Sequence, residues 1–382
     1  LTKTGFILDR ITLAKGTTVD VPTAAKDIEL FNATSRAQLR LLVQPGAQFG
    51  YTDLLLGITE PQENEFQIFL DNNGVASTGE AQMSALVRRY GMLGIDDTLT
   101  LYGAVSEGSR SATARYELPV GQYGTRLAAG ITASSVSVIA GPTKSLGIKG
   151  RSKSATLSLS HPLFTNENWT VQGTASAFVG DSTSAASGVP LVDTLTTKLS
   201  PGVTLAYRGD RGSFATQVQA VFAQSEDRLA TATRDILVIA GSANGQYRFA
   251  NGLALVGNAS WQHSKDKLLP GSLLFQIGGP SSVRGYPSDG VAGDSGFYTS
   301  LELHKQFDVK GKGLDGYVFT DFGEVYSTFP VTTTLVSAGL GLNFDVNKNA
   351  KASLSIATPL KKSLTSQSEF VFSGIRSAQT TK

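Results

Sequence analysis

From Phe66 onward, apolar and polar residues alternate with a period of two, run after run. Trp169, Val171, Gly173, Ala175, Ala177 and Val179 share one side of such a run, and Thr170, Gln172, Thr174 and Ser176 share the other. Phe214, Thr216, Val218, Ala220 and Phe222 oppose Gln217 and Gln219; Leu253, Leu255, Ala259 and Trp261 oppose Asn258, Ser260 and Gln262. Phe297, Leu301, Leu303 and Phe307 oppose Ser300, Glu302, His304 and Gln306. Val336, Ala338, Leu340, Leu342 and Phe344 oppose Ser337, Gly339, Gly341 and Asn343. Successive side chains of a strand point to opposite faces, so each run predicts a strand with one apolar and one polar face. The polar face is too rich in Gln, Ser, Thr and Asn for a dry core. The combination fits an antiparallel transmembrane β-barrel, apolar toward lipid and wet inside. Trp169, Phe297 and Phe307 fall near strand ends, where interfacial aromatics belong.

The connections alternate in length as well. Short ones are expected near 121–123, 165–168, 208–211, 250–252, 309–313 and 347–349. Longer ones are expected at 140–150, 180–192, 225–234, 265–294 and 361–366. Short turns at one end and long loops at the other are the habit of outer-membrane barrels. Counting runs of roughly ten residues gives about sixteen strands, an even number as bacterial barrels require. That count leaves Ser272 to Ile277 inside the loop that joins the eleventh and twelfth strands. Soluble β-solenoids also alternate, but no fixed repeat is visible here. An ordinary porin shares the alternation and stays open on this pattern alone.

Residues 1–60 read differently. Thr2 or Thr4 is placed to cap a short helix carrying Phe6, Ile7, Leu8, Ile11 and Leu13, with Gly16 at its end. Pro22 and the apolar series Ala24, Ala25, Ile28, Leu30 and Phe31 predict a second helix over about 23–33. Gln38 to Val43 and Asp53 to Ile58 predict two strands around a Pro45-Gly46 turn. The order is helix, helix, strand, strand, with 61–65 as a linker into the barrel domain, 61–382. An unrelated small α+β cap has the same order and is the alternative.

Composition narrows the class. Charged residues are only 17% of the 382, and the 41 glycines are many. No apolar run is long enough for a transmembrane helix, so a membrane protein of this composition must cross with closed sheet. A net charge of +2 argues against nucleic-acid binding through a dominant basic field. The absence of cysteine excludes disulfides, thiolate metal sites and cysteine nucleophiles. Three scattered histidines give no metal-ligand spacing, and no cofactor is expected. Gly293-Asp294-Ser295-Gly296 looks like a serine-protease nucleophile neighbourhood, but a loop-to-strand turn explains it better; no enzyme activity is expected. No leader precedes Leu1, so the chain is expected to be a mature or truncated form.

The candidate site lies in the long segment 265–294. Five glycines and two prolines fall between Gly278 and Gly293, yet Leu273, Leu274, Phe275, Ile277, Val283 and Tyr286 are apolar. A long loop with that much apolar surface must pack on something, and the barrel interior is the natural place. Val283-Arg284-Gly285-Tyr286, preceded by Gly278-Gly279, together with Phe319-Thr320-Asp321 on the next strand but one, resembles the signature of the BamA-like superfamily. Within it, the small α/β start and the barrel size resemble the two-partner-secretion outer-membrane transporters, the TpsB or haemolysin activation/secretion family.

The resemblance implies that the loop folds back into the barrel and that Arg284 pairs with Asp321 of the Phe319–Asp321 motif, with Glu302 a second partner. It implies that residues 1–60 are a partial second POTRA domain, lacking its first strand, in the periplasm. It implies a bacterial outer-membrane monomer that translocates a large secreted exoprotein, an adhesin, haemolysin or toxin. One departure is the end: a strand over about 369–376 runs into a polar tail instead of a terminal aromatic. A BamA-like assembly factor and a passive porin are the competing readings.

Overall fold

The computed structural model describes residues 2–13, 16–288, 290–309, 312–326, 332–347, 349–361 and 369–379. The chain opens with helices α1 (Thr4–Leu8) and α2 (Val21–Thr34) and the hairpin β1 (Gln38–Pro45) and β2 (Thr52–Thr59). There follow β3 (Asn64–Asp71), β4 (Gln82–Tyr90), β5 (Thr98–Val105), β6 (Ser109–Val120), β7 (Thr125–Ser137) and β8 (Ile148–Thr165). Next come β9 (Trp169–Ala186), β10 (Val189–Arg208), β11 (Gly212–Asp227), β12 (Ala232–Arg248) and β13 (Leu253–Ser264). The loop after β13 carries a small hairpin, β14 (Phe275–Ile277) and β15 (Val291–Gly293). The chain ends with β16 (Ser295–Val309), β17 (Lys312–Tyr326), β18 (Thr333–Asn347), β19 (Ala350–Pro359) and β20 (Glu369–Gln379).

Sixteen strands close into one antiparallel barrel, β3 to β13 and β16 to β20, with β3 pairing β20. Closure leaves no free sheet edge in lipid, which is the physical condition for spanning a bilayer with strands. The alternation sets the faces as read from sequence. Val318, Leu340 and Phe222 are more than half exposed on the outside, while Asp321 and Ser337 are fully buried within. Aromatics collect at the short-turn end, where Trp169 packs on Tyr207 and Tyr247 on Phe249.

Several expectations need correction. The first helix is a single turn capped by Lys3 with no side-chain bond; Thr4 lies inside it, and it stops at Leu8, well short of Gly16. Apolar residues beyond the helix still pack, since Ile11 joins Phe6 and Ile7 in the core. The second helix is longer than 23–33, because the Asp20 carboxylate accepts the Thr23 amide and moves the start upstream. The expected loop at 180–192 is mostly strand: β9 and β10 run on to a two-residue turn, Ser187 and Gly188, both with positive φ. Its Ser/Thr/Ala composition resembles a loop, but beyond the lipid an outward face need not be apolar, so only backbone pairing marks the strand. The strands accordingly reach 20 residues in β10, far longer than expected. Residues 275–277 stay out of the barrel, as the count required, but pair with 291–293. The expected turns at 310–311 and 348, the outer connection at 362–366 and the tail from 380 lie outside the described residues.

The two helices and β1 enclose a core of Phe6, Ile7, Ile11, Phe31, Ala37 and Leu39. Ile95, from the turn between β4 and β5, packs against that core, so the barrel completes it. Ions tie the same junction. The Asp96 carboxylate accepts the amides of Arg36 and Ala37 and the guanidinium of Arg126 at 2.9 Å, while Arg126 also bonds Glu117 and the Thr34 carbonyl.

Candidate functional site

The loop after β13 enters the barrel through a polar neck. Asp294 accepts the amides of Leu268 and Leu269, and the Ser264 amide donates to Ser295 Oγ. These are the structural roles of the Gly293-Asp294-Ser295-Gly296 stretch. Leu269 and Leu273 then bury against Val221, Ala223, Ile236 and Val238 on the inner wall. Those inward apolar residues break the wet-wall pattern where the loop covers them, as the hydrophobic effect requires.

The tip is a tight turn. The Gly278 amide donates to Ser282 Oγ, and the Gly279 amide to the Tyr286 carbonyl. Gly285 has φ +85°, and a Cβ there would press on Pro359 of β19, so only glycine fits both the backbone and the approach. Val283 and Tyr286 are fully buried with Ile277, Val325 and Leu335. The Tyr286 hydroxyl accepts the Val336 amide and has the carbonyls of Val336 and Lys361 within donating reach. Tyr286 thereby anchors the tip to the loop end of β18 and β19.

Arg284 is the centre. Its Nε donates to Asp321 Oδ2 at 2.8 Å and its Nη2 to Asp321 Oδ1 at 2.7 Å, a two-pronged fork on one carboxylate. Its backbone amide also donates to Oδ2, at 3.0 Å. Nη1 reaches Glu302 at 2.6 Å, and Nη2 also reaches Ser300 Oγ at 2.9 Å. The guanidinium carbon lies 3.4 Å from the centroid of the Phe319 ring, so a π face covers the cation from one side. The Phe319 ring in turn lies over Gly339, its cross-strand partner, where an added Cβ would meet the ring at 2.4 Å.

Strand register builds the receiving surface. Ser300 pairs with Asp321 and Glu302 with Phe319 across β16 and β17, and alternation turns all four inward. Below them, His304 bridges Glu302 and Asp315 at 2.9 Å each and stacks on Tyr317. Buried charge is tolerable here because the cation meets two carboxylates and each prong has an acceptor. The motif residues Arg284, Asp321, Phe319 and Glu302 were singled out from sequence. Ser300, His304 and the Tyr286 hydroxyl contacts were not. Ser300 and His304 did carry a signal, since both lie on the polar side of their run, but their partners depend on register. Among the described residues, no group of three or more His, Cys, Asp or Glu side chains is arranged to hold a metal ion.

Residues 50–344 match the family model described as haemolysin secretion/activation protein ShlB/FhaC/HecB. Among solved structures, the chain is similar to CdiB from Escherichia coli, with 19% identity, a TM-score of 0.80, and coverage of 98% of this chain and 74% of that one. It is also similar to CdiB from Acinetobacter baumannii, with 17% identity, a TM-score of 0.78, and coverage of 99% and 72%. BamA from Haemophilus ducreyi lacking POTRA domains 1–3 shares the fold at 14% identity and a TM-score of 0.67, over 99% of this chain and 82% of that one. No curated protein sequence matches significantly. The family model covers well over half of the chain. The chain therefore belongs to the haemolysin secretion/activation protein ShlB/FhaC/HecB family, outer-membrane barrels that carry a partner protein across the membrane.

Proposed function

We propose that this protein translocates one large exoprotein, delivered unfolded, and that the Arg284 loop is the latch inside its channel. Residues 1–60 act as the second POTRA domain on the periplasmic side and recruit the partner by strand addition to the β1–β2 hairpin. The chain works as a monomer, and folding of the exoprotein outside gives direction. The observation that carries the reading is the density of contacts on one side chain: two carboxylates, a hydroxyl and an aromatic face converge on Arg284. A loop needed only to plug the lumen has no use for so specific an anchor, whereas a latch does.

The test is secretion of a co-expressed partner by Arg284→Ala and Asp321→Ala variants. Both are expected to lower secretion at least tenfold while the barrel still runs as a folded, heat-modifiable species. Wild-type secretion from both variants removes the latch. Loss of unrelated outer-membrane barrels on deletion of the gene, with no secreted partner, replaces translocation by barrel assembly.

A further inference from the structure

We infer that the outward face of β6 to β8, at the loop end of the barrel, binds the phosphorylated headgroup of an outer-leaflet glycolipid. The inference needs the outer-membrane reading for its orientation and nothing from the Arg284 latch. Leu157 and Leu159 are exposed on the outer face of β8. Lys153, Arg151 and Lys149 continue that face toward the loop end and are also exposed, a ladder of three cations with no anion between them. Arg110 of β6 joins the ladder through the register Arg110, Ser135, Arg151, which puts it two strands from Arg151, roughly 10 Å away. Among the described residues, none of these four cations forms an ion pair. The carboxylate registered opposite Lys153, Asp181, is taken at 2.7 Å by Arg228, which also holds Asp193.

The surface beside the ladder fits acyl chains. One cross-strand row reads Ala85, Gly103, Ala112, Ala133 and then Lys153, so four small residues lead to the cation. The next row toward the short-turn end carries the larger Val87, Leu101, Ile131 and Val179, and together they line a shallow, nearly apolar trough of about 840 Å³. Asp181 also lines the trough but is paired with Arg228, so Lys153 is the unpaired charge at its edge, which a bland solvated rim does not account for. Long basic side chains at the edge of an apolar band lay their stems on it and lift their charges to headgroup height. The ligand class is thus an amphiphile with several acyl chains and more than one phosphate. Asp181 and Asp193 on β9 and β10 are held by Arg228, Glu107 is exposed in the turn between β5 and β6, and Glu226 and Asp235 are exposed further round on β11 and β12, so the outward face of β6 to β8 itself keeps an excess of cations.

The experiment uses the full chain in bilayer nanodiscs containing a bis-phosphorylated lipid A, with retained glycolipid counted by native mass spectrometry. Surface cations attract anionic lipid by about 1 kcal/mol each, which is about five-fold per charge. The triple variant K149Q/R151Q/K153Q is therefore expected to retain on the order of a hundredfold less, while R208Q/R211Q at the opposite end retains as much as wild type. Dephosphorylated lipid A should not be retained, and millimolar inorganic phosphate should not displace the glycolipid. Equal retention by the triple variant, equal retention of the dephosphorylated lipid, or displacement by free phosphate each overturns the inference. Heat-modifiability of every variant checks that the barrel is folded.

Discussion

Arg284 could not be replaced by another cation without loss. A lysine supplies one point charge, whereas the guanidinium forks onto Asp321 and still reaches Ser300 and Glu302. Arg284→Lys is expected to weaken loop docking by roughly 1.5–3 kcal/mol, the worth of a bond to a charged group. Hydrogen exchange of amides 277–286 measures this; unchanged protection rules it out. Gly339 matters for a quieter reason. Its missing side chain is the space that the Phe319 ring fills beneath the guanidinium. Gly339→Ala should push that ring aside and cost about 1–3 kcal/mol, read as a lower melting temperature with faster exchange at the same amides. The arginine, its aspartate and the phenylalanine stand out as short motifs in the sequence. Ser300 and the glycine become partners only once β16, β17 and β18 are in register.

Among the elements, the N-terminal unit and the barrel are less separate than a boundary at residue 60 implies. The turn between β4 and β5 supplies Ile95 to the helical core and Asp96 to the ion cluster with Arg126. Arg126→Ala leaves Asp96 buried with less compensation. It should free the unit, visible as faster exchange across 34–39 and 93–97 with the amides of the barrel strands unaffected. The same turn carries Asp97, which is fully buried. Burial pushes its pKa up, but the Tyr116 hydroxyl and the Leu93 amide outweigh that and hold it below its ordinary value of 3.8. A carboxyl depressed in the folded state stabilises above its unfolded value and loses that contribution as pH falls through the folded one. Acid titration of the turn should therefore show no loosening until pH drops below about 4, and Asp97→Asn should remove the transition. Loosening near neutral pH contradicts the assignment.

For the whole molecule, translocation of a partner demands a lumen, and the loop occupies part of it. Val283 and Gly323 offer a direct check. A Cβ built on Gly323 lies 2.9 Å from Val283 Cγ2, close to the spacing a disulfide requires between one sulfur and the opposite Cβ. The chain has no cysteine of its own, so V283C/G323C introduces a single pair. Oxidised, the variant is expected to stop secretion; reduced, it should recover. Full secretion by the cross-linked form means the exoprotein passes without the loop leaving this wall.

Sequence alone determined the period-two faces, the strand number and the loop that could not be surface filler, because alternation, turn chemistry and misplaced apolar residues are local properties of the chain. It also picked out Arg284 and Asp321 by their neighbours. Where β9 and β10 end was not local: polar strands and polar loops have the same composition, and only the paired backbone of the hairpin tells them apart. The dry patches on a wet wall, Val221 with Leu273 and Val325 with Val283, were equally hidden. A residue that faces the lumen is apolar or polar according to what covers it, and that cover comes from far along the chain.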